Sequence, residues 1–143
     1  MAAAILRLVY DYTDSLTREW PVASGTVKGT AVLDPAGHQP GVTLTPRGDS
    51  TATATLAGGY SITYDNGAVS QRSDSATVAT DGTWSGPVTG ATSSTAKGTK
   101  VYYVTADGSL TLTAGSNVYF GVVDTYPGKG SASATAVKIG VPA

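Results

Sequence analysis

The chain has no cysteine, one histidine, one methionine and one phenylalanine, and charged residues make up only 13% of it. Each shortage removes a class of chemistry. Without cysteine there are no disulfides and no thiolates to hold a metal. With His38 as the only imidazole, a transition-metal site or a Ser-His-Asp relay would rest on that one residue. His38 lies in Asp34-Pro35-Ala36-Gly37-His38-Gln39-Pro40, a run of turn formers, and reads as a solvent-exposed loop residue. Glu19 is the only glutamate, so a glycosidase pair would have to draw on aspartates. Asp65, Asp74, Asp81, Asp107 and Asp124 stand beside or near glycine, serine or asparagine, where turns use aspartate. No Asp-x-Asp-x-Asp-Gly run offers a calcium loop, and no glycine loop leads into a helix that would cradle phosphate. No catalytic, cofactor-binding or metal-ligating residue is named, no cofactor is expected, and the expected class is not an enzyme.

Lys and Arg number 9 against 10 Asp and Glu, spread thinly, for a net charge of −1. There is no basic patch for nucleic acid and no polybasic segment for a membrane surface. No apolar run approaches the roughly 18 residues that would span a bilayer. The apolar N-terminal stretch lacks a basic region before it, so it reads as a poor signal peptide, and synthesis in the cytoplasm is expected. A surface this poor in charge suits a protein that works against other protein. A merely neutral soluble domain fits the composition equally.

What the chain does have is glycine, serine, threonine and alanine in place of charge, which favours turns and small-faced strands over helix surfaces. It reads as all-β and, at 143 residues, as a single domain with a real core. The densest strand-forming run is Gly98 to Asp124, cut by Asp107-Gly108 and by Ala114-Gly115-Ser116-Asn117. Asp-Gly between strand formers is a hairpin signal. Thr99–Thr105, Leu110–Thr113 and Val118–Val123 are therefore expected to form a three-stranded antiparallel meander. Its outer members are apolar on both faces, so something should pack on each side.

Leu6, Leu8, Tyr10 and Tyr12 alternate onto one face of an N-terminal segment, and Trp20-Pro21 keeps the following connection extended. Residues 1–21 read as an arm, either an internal strand or a docking segment, ahead of a β domain over 22–143. Within that domain Lys28-Gly29-Thr30-Ala31-Val32 recurs as Lys97-Gly98-Thr99-Lys100-Val101. Gly41-Val42-Thr43-Leu44-Thr45-Pro46 is echoed by Gly121-Val122-Val123-Asp124-Thr125-Tyr126-Pro127, and 52–58 by 133–140. Two half-units, about 25–60 and 95–141, predict a pseudo-twofold β-sandwich or barrel of short antiparallel strands. Between them lies a polar insert at about 63–79, with short strands expected at 76–79 and 83–88.

The aromatic residues Trp20, Trp84, Tyr102, Tyr103, Tyr119 and Phe120 divide between core and interface, or else build a stacking platform for sugars. Arg47-Gly48-Asp49 is the tripeptide integrins read, here between Pro46 and Ser50, and is taken as coincidence.

One longer pattern resembles a known family. It comprises Asp81-Gly82-Thr83-Trp84-Ser85-Gly86-Pro87-Val88-Thr89-Gly90-Ala91-Thr92, then Gly98-Thr99-Lys100-Val101-Tyr102-Tyr103, Leu110-Thr111-Leu112-Thr113 and Phe120-Gly121-Val122-Val123. These motifs resemble the small capsid decoration (cement) proteins of tailed bacteriophages, in particular a family once labelled only as a phage domain of unknown function. The resemblance covers about 80–141 well and 22–60 loosely. It implies an all-β protein, made in the host bacterium, that sits on the outside of the mature virion head. It further implies contacts with the major capsid protein, self-association as a homotrimer and stabilisation of the capsid. On that reading Leu6, Leu8, Tyr10, Tyr12 and Trp20 would meet the capsid, and Tyr102, Tyr103, Tyr119 and Trp84 would lie between subunits. Removing the arm before Thr13 should then abolish capsid binding and leave the domain folded. A carbohydrate-binding or adhesin-like sandwich, with Trp84 and the tyrosines as platform, and a phage tail or baseplate domain are the alternatives.

Overall fold

The computed structural model describes residues 3–10, 17–66, 74–124 and 135–143. Among these the chain forms twelve strands and no helix. In chain order they are β1 (Arg7–Tyr10), β2 (Thr17–Pro21), β3 (Ala31–Leu33), β4 (Pro40–Thr43), β5 (Asp49–Thr55) and β6 (Ser61–Asn66). Then follow β7 (Ser75–Ala79), β8 (Gly82–Gly86), β9 (Lys100–Tyr103), β10 (Leu110–Thr111), β11 (Val118–Val123) and β12 (Thr135–Ile139). A six-stranded sheet runs β1-β8-β12-β11-β9-β10, a four-stranded sheet runs β2-β7-β4-β3, and β5 and β6 pair only with each other. All named strand pairs are antiparallel. The all-β expectation holds.

The two large sheets share one core. Ala31, Val42 and Ala79 from the four-stranded sheet pack with Trp84, Val101, Phe120, Val123, Val137 and Ile139 from the six-stranded one. This is the sandwich arrangement, in which inward side chains of both sheets interdigitate. A satellite cluster of Trp20, Val32 and Val78, with Val22 against it, sits on the four-stranded sheet.

The halves repeat in topology. The order β2-β7-β4-β3 in one sheet matches β8-β12-β11-β9 in the other, with each set taken in the same chain sequence. The hydrogen bonds repeat too. The Gly29 amide donates to the Thr43 carbonyl and the Gly98 amide to the Val123 carbonyl, each at 2.7 Å. Thr30 and Thr99 each return their hydroxyl at 2.7 Å to the carbonyl three residues back, Val27 and Ala96. Gly29 and Gly98 have φ of 87° and 86°, the left-handed geometry a type II turn needs at its third position. The Lys-Gly-Thr echo is thus one turn built twice. β4 and β11, equivalent strands of the two halves, touch each other. Contact between equivalents is what a pseudo-twofold relation produces.

Three expectations change. First, the half-units are wider than 25–60 and 95–141, running from β2 to β7 and from β8 to β12. The counterpart of β12 is β7, whereas the stretch 52–58 falls on β5 and the turn after it, which have no counterpart among the described residues. Second, the strand expected at 76–79 forms as β7, but it closes no polar insert: it is an interior strand with Ala76 and Val78 fully buried; residues 67–73 lie outside the described set. Third, β9, β10 and β11 are not a meander, because β9 lies between the other two. β10 has only two residues. As a central strand it would leave most ladder groups of β9 and β11 without partners, which direct pairing avoids.

The N-terminal segment crosses between sheets. Ile5 bridges Thr30 beside β3, with the Ala31 amide donating to the Ala4 carbonyl at 2.9 Å and the Leu6 amide to Gly29 at 2.6 Å. The next residues then leave that sheet and pair with β8 as β1. One strand therefore joins the open edges of both sheets. The described part of the arm is internal structure.

A projecting hairpin and an apolar groove

The hairpin β5–β6 is set apart from the sandwich. Its base is held where the Arg47 amide donates to Thr26 O at 2.9 Å and the Gly48 amide to Ser75 O at 3.0 Å. Seven residues of β5, at roughly 3.3 Å each, put about 20 Å between this base and the tip. The tip is Leu56-Ala57-Gly58-Gly59-Tyr60. The Gly59 amide closes a turn onto Leu56 O at 3.1 Å, with Gly58 at φ 91°. Around it Leu56, Tyr60 and Ile62 are 49%, 74% and 48% exposed. Large apolar side chains in a cluster at a projecting tip are normally covered by a partner.

A second apolar feature lies on the sandwich. Ile5, Leu6, Gly29, Thr43, Leu44 and Trp84 line a groove of about 420 Å³, with Lys28 at its side. Ile5 and Val27, the latter next to Lys28, are 45% and 52% exposed. Duplication explains why the groove exists in this half. In the second half Asp124, whose amide bonds Ala136, takes the Lys97 ammonium at 3.1 Å and the Thr83 hydroxyl at 3.2 Å. The equivalent position in the first half, whose amide bonds Thr77, is Leu44. An apolar side chain replaces the ion-pair partner, and the site becomes a greasy hollow beside a lysine. A more polar groove of about 430 Å³ runs between β3 and the β9–β10 turn, past Val22, Tyr103 and Asp107.

The residues singled out from sequence are scattered. Trp20 is buried in the chain's own satellite cluster, while Leu6 and Trp84 belong to the shared core and show only a narrow strip at the floor of the groove. The Trp84 indole donates to Asp81 O at 2.9 Å. Leu8 and Tyr10 lie on β1 opposite Trp84 and Thr83, and Tyr12 is outside the described residues. Tyr103 stacks on Phe120 against the core at 6.1 Å. Burial, reinforced by the Asp107 charge, raises its pKa. Tyr102 and Tyr119 are half-buried neighbours on β9 and β11, meeting at 79° with centroids 6.3 Å apart. That edge-to-face pair is not a coplanar row for stacking a sugar. The Tyr119 hydroxyl donates to Val141 O at 3.0 Å, and burial raises its pKa as well, with Tyr102 adding to it.

His38 is exposed, in a turn where its amide and that of Gln39 donate to Asp34 Oδ1 at 2.6 and 2.8 Å. Those amides hold the Asp34 carboxyl below its usual pKa. Asp107 is lowered in the same manner by the Ser109 hydroxyl and amide. Both are turn carboxylates serving their own loops. Arg47-Gly48-Asp49 is tied into the hairpin base, with Arg47 Nε also donating to Asp74 O at 3.3 Å. Among the described residues no three His, Asp or Glu side chains gather as a metal site.

Sequence reading passed over the hairpin tip. Its signal is present: Gly58-Gly59 stands between Thr-Ala-Thr-Ala-Thr and Ser-Ile-Thr-Tyr, a two-glycine hairpin pattern. No family model, curated protein or solved structure matches this chain.

Proposed function

We propose that this protein is a structural component of a tailed-phage virion that decorates the outside of the mature head. It acts by binding alone, without catalysis or cofactor. Its partners on this reading are the major capsid protein, whose lattice contacts it stabilises, and other copies of itself. Nucleic acid and membrane are not among them. The phage assignment rests on the motif resemblance between residues 81 and 123. The observation that supports a binding role is the concentration of exposed large apolar side chains on a projecting hairpin and beside one groove. Many copies on a lattice turn modest contacts into firm attachment.

The test is to mix the purified chain with expanded, undecorated phage heads and measure bound copies per major capsid protein. Saturation at a fixed ratio is the expected result. Absence of binding to any such head sinks the proposal.

A further inference from the structure

We infer that the hairpin tip of one copy seats in the Leu44–Trp84 groove of a second copy, so that chains join head to tail. This rests on the self-association part of the reading above and adds the surfaces that carry it. Among the residues whose side-chain exposure is described, the exposed large apolar ones fall into two groups, Leu56, Tyr60 and Ile62 at the tip, and Ile5 in the groove wall with Val27 next to its lining residue Lys28. One group is convex and carried outward on its own two-stranded sheet; the other flanks a hollow. The exposures show that neither is covered within its own chain.

The chemistry of the two matches. The groove has an apolar floor and a lysine at its side. Tyrosine suits that combination, because its ring enters apolar surroundings while its hydroxyl stays with polar groups, and a lysine ammonium is attracted to the ring face. At about 420 Å³ the groove falls in the size range of sites that enclose an organic group. The contact uses two different patches, so it is not self-complementary. Such contacts close into a ring when the rotation allows and otherwise run on as a filament. A capsid-bound protein needs the closed form.

The experiment is light scattering on the full chain without heads. The tip variant is Leu56→Ser/Tyr60→Ser/Ile62→Ser, and the groove variant is Ile5→Lys/Val27→Lys. All five positions are exposed, so both variants should keep the wild-type circular dichroism spectrum. The wild type should scatter as a small multiple of the chain mass, and each variant alone as one chain. An equimolar mixture of the variants regains one intact junction, since each supplies the patch the other lacks, and should form dimers and nothing larger. A monomeric wild type overturns the inference, as do variants that keep the wild-type mass or a mixture that stays monomeric. Loss of head binding by a tip variant of a monomeric wild type would assign the tip to the capsid instead, which also overturns it. Because no heads are present, failure of the head-binding test leaves this result standing.

Discussion

Gly41 on β4 and Gly121 on β11 occupy equivalent places in the two halves, and both lack a side chain for a steric reason. A Cβ on Gly41 would overlap Val78 Cγ1 and stand 2.7 Å from the Trp20 ring. A Cβ on Gly121 would overlap the Lys138 carbonyl oxygen, which belongs to the neighbouring strand's backbone. Side chains can rotate away, whereas a ladder partner can move only with its strand. Gly41→Ala should therefore destabilise by about 1–3 kcal/mol, the usual cost of overpacking. Gly121→Ala should cost more, because β11 and β12 must separate. Urea midpoints for the two variants would decide it, and an equal or smaller loss for Gly121→Ala would refute the backbone-contact account. This pair was readable as a sequence echo, since Gly41-Val42 and Gly121-Val122 recur in order. The reason for the glycine was not, because it depends on which strand lies alongside.

Elements were legible in proportion to how local their causes are. Lys-Gly-Thr marks a turn that needs glycine at a positive φ, and both copies of the turn form where the repeat puts them. The course of β11 was hidden. Nothing in Val118–Val123 states that it returns to β9 past β10; that follows from the ladder length available on each strand. β7 was legible as a short strand at 76–79, but its central place was hidden, because Ser-Ala-Thr-Val-Ala is small and half polar, yet its Ser75 is 1% exposed. The hairpin is the opposite case, local in origin and independent in structure. Since among the described residues β5 and β6 pair only with each other, replacing residues 50–65 by a short turn should leave the sandwich intact. The expected change in thermal midpoint is within about 2 °C, less than a loss of 1 kcal/mol would cause in a domain of this size. A fall of 10 °C on calorimetry would mean that the hairpin braces the sandwich and is not free to serve a partner.

At the scale of the molecule, duplication alone does not finish the fold. Two four-stranded units each leave an edge strand, β3 in one and β8 in the other, open for further pairing. Exposed edges invite association with other chains, and proteins generally cover or blunt them. The other edge of the smaller sheet, β2, is blunted by exposed Arg18 and Glu19 and by Pro21. The β3 and β8 edges are both covered by the segment from Ala4 to Tyr10, which pairs first with one and then with the other. Leu6, at the crossing, is 3% exposed and belongs to the shared core. A Cβ on Gly86 would strike the Leu6 side chain, so β8 itself makes room for it. The N-terminal segment is therefore a clasp between the sheets, and the expectation that it can be removed from a folded domain reverses. Leu6→Ala should cost about 2–5 kcal/mol, as for other buried leucines. Deletion through Tyr10 should cost more, exposing both edges as well as emptying the core. The decisive observation is the urea midpoint of Leu6→Ala beside Ile5→Ala, since Ile5 is 45% exposed one residue away. A large loss for Leu6 with little for Ile5 establishes the clasp, while a small loss for both would restore the segment as a detachable arm.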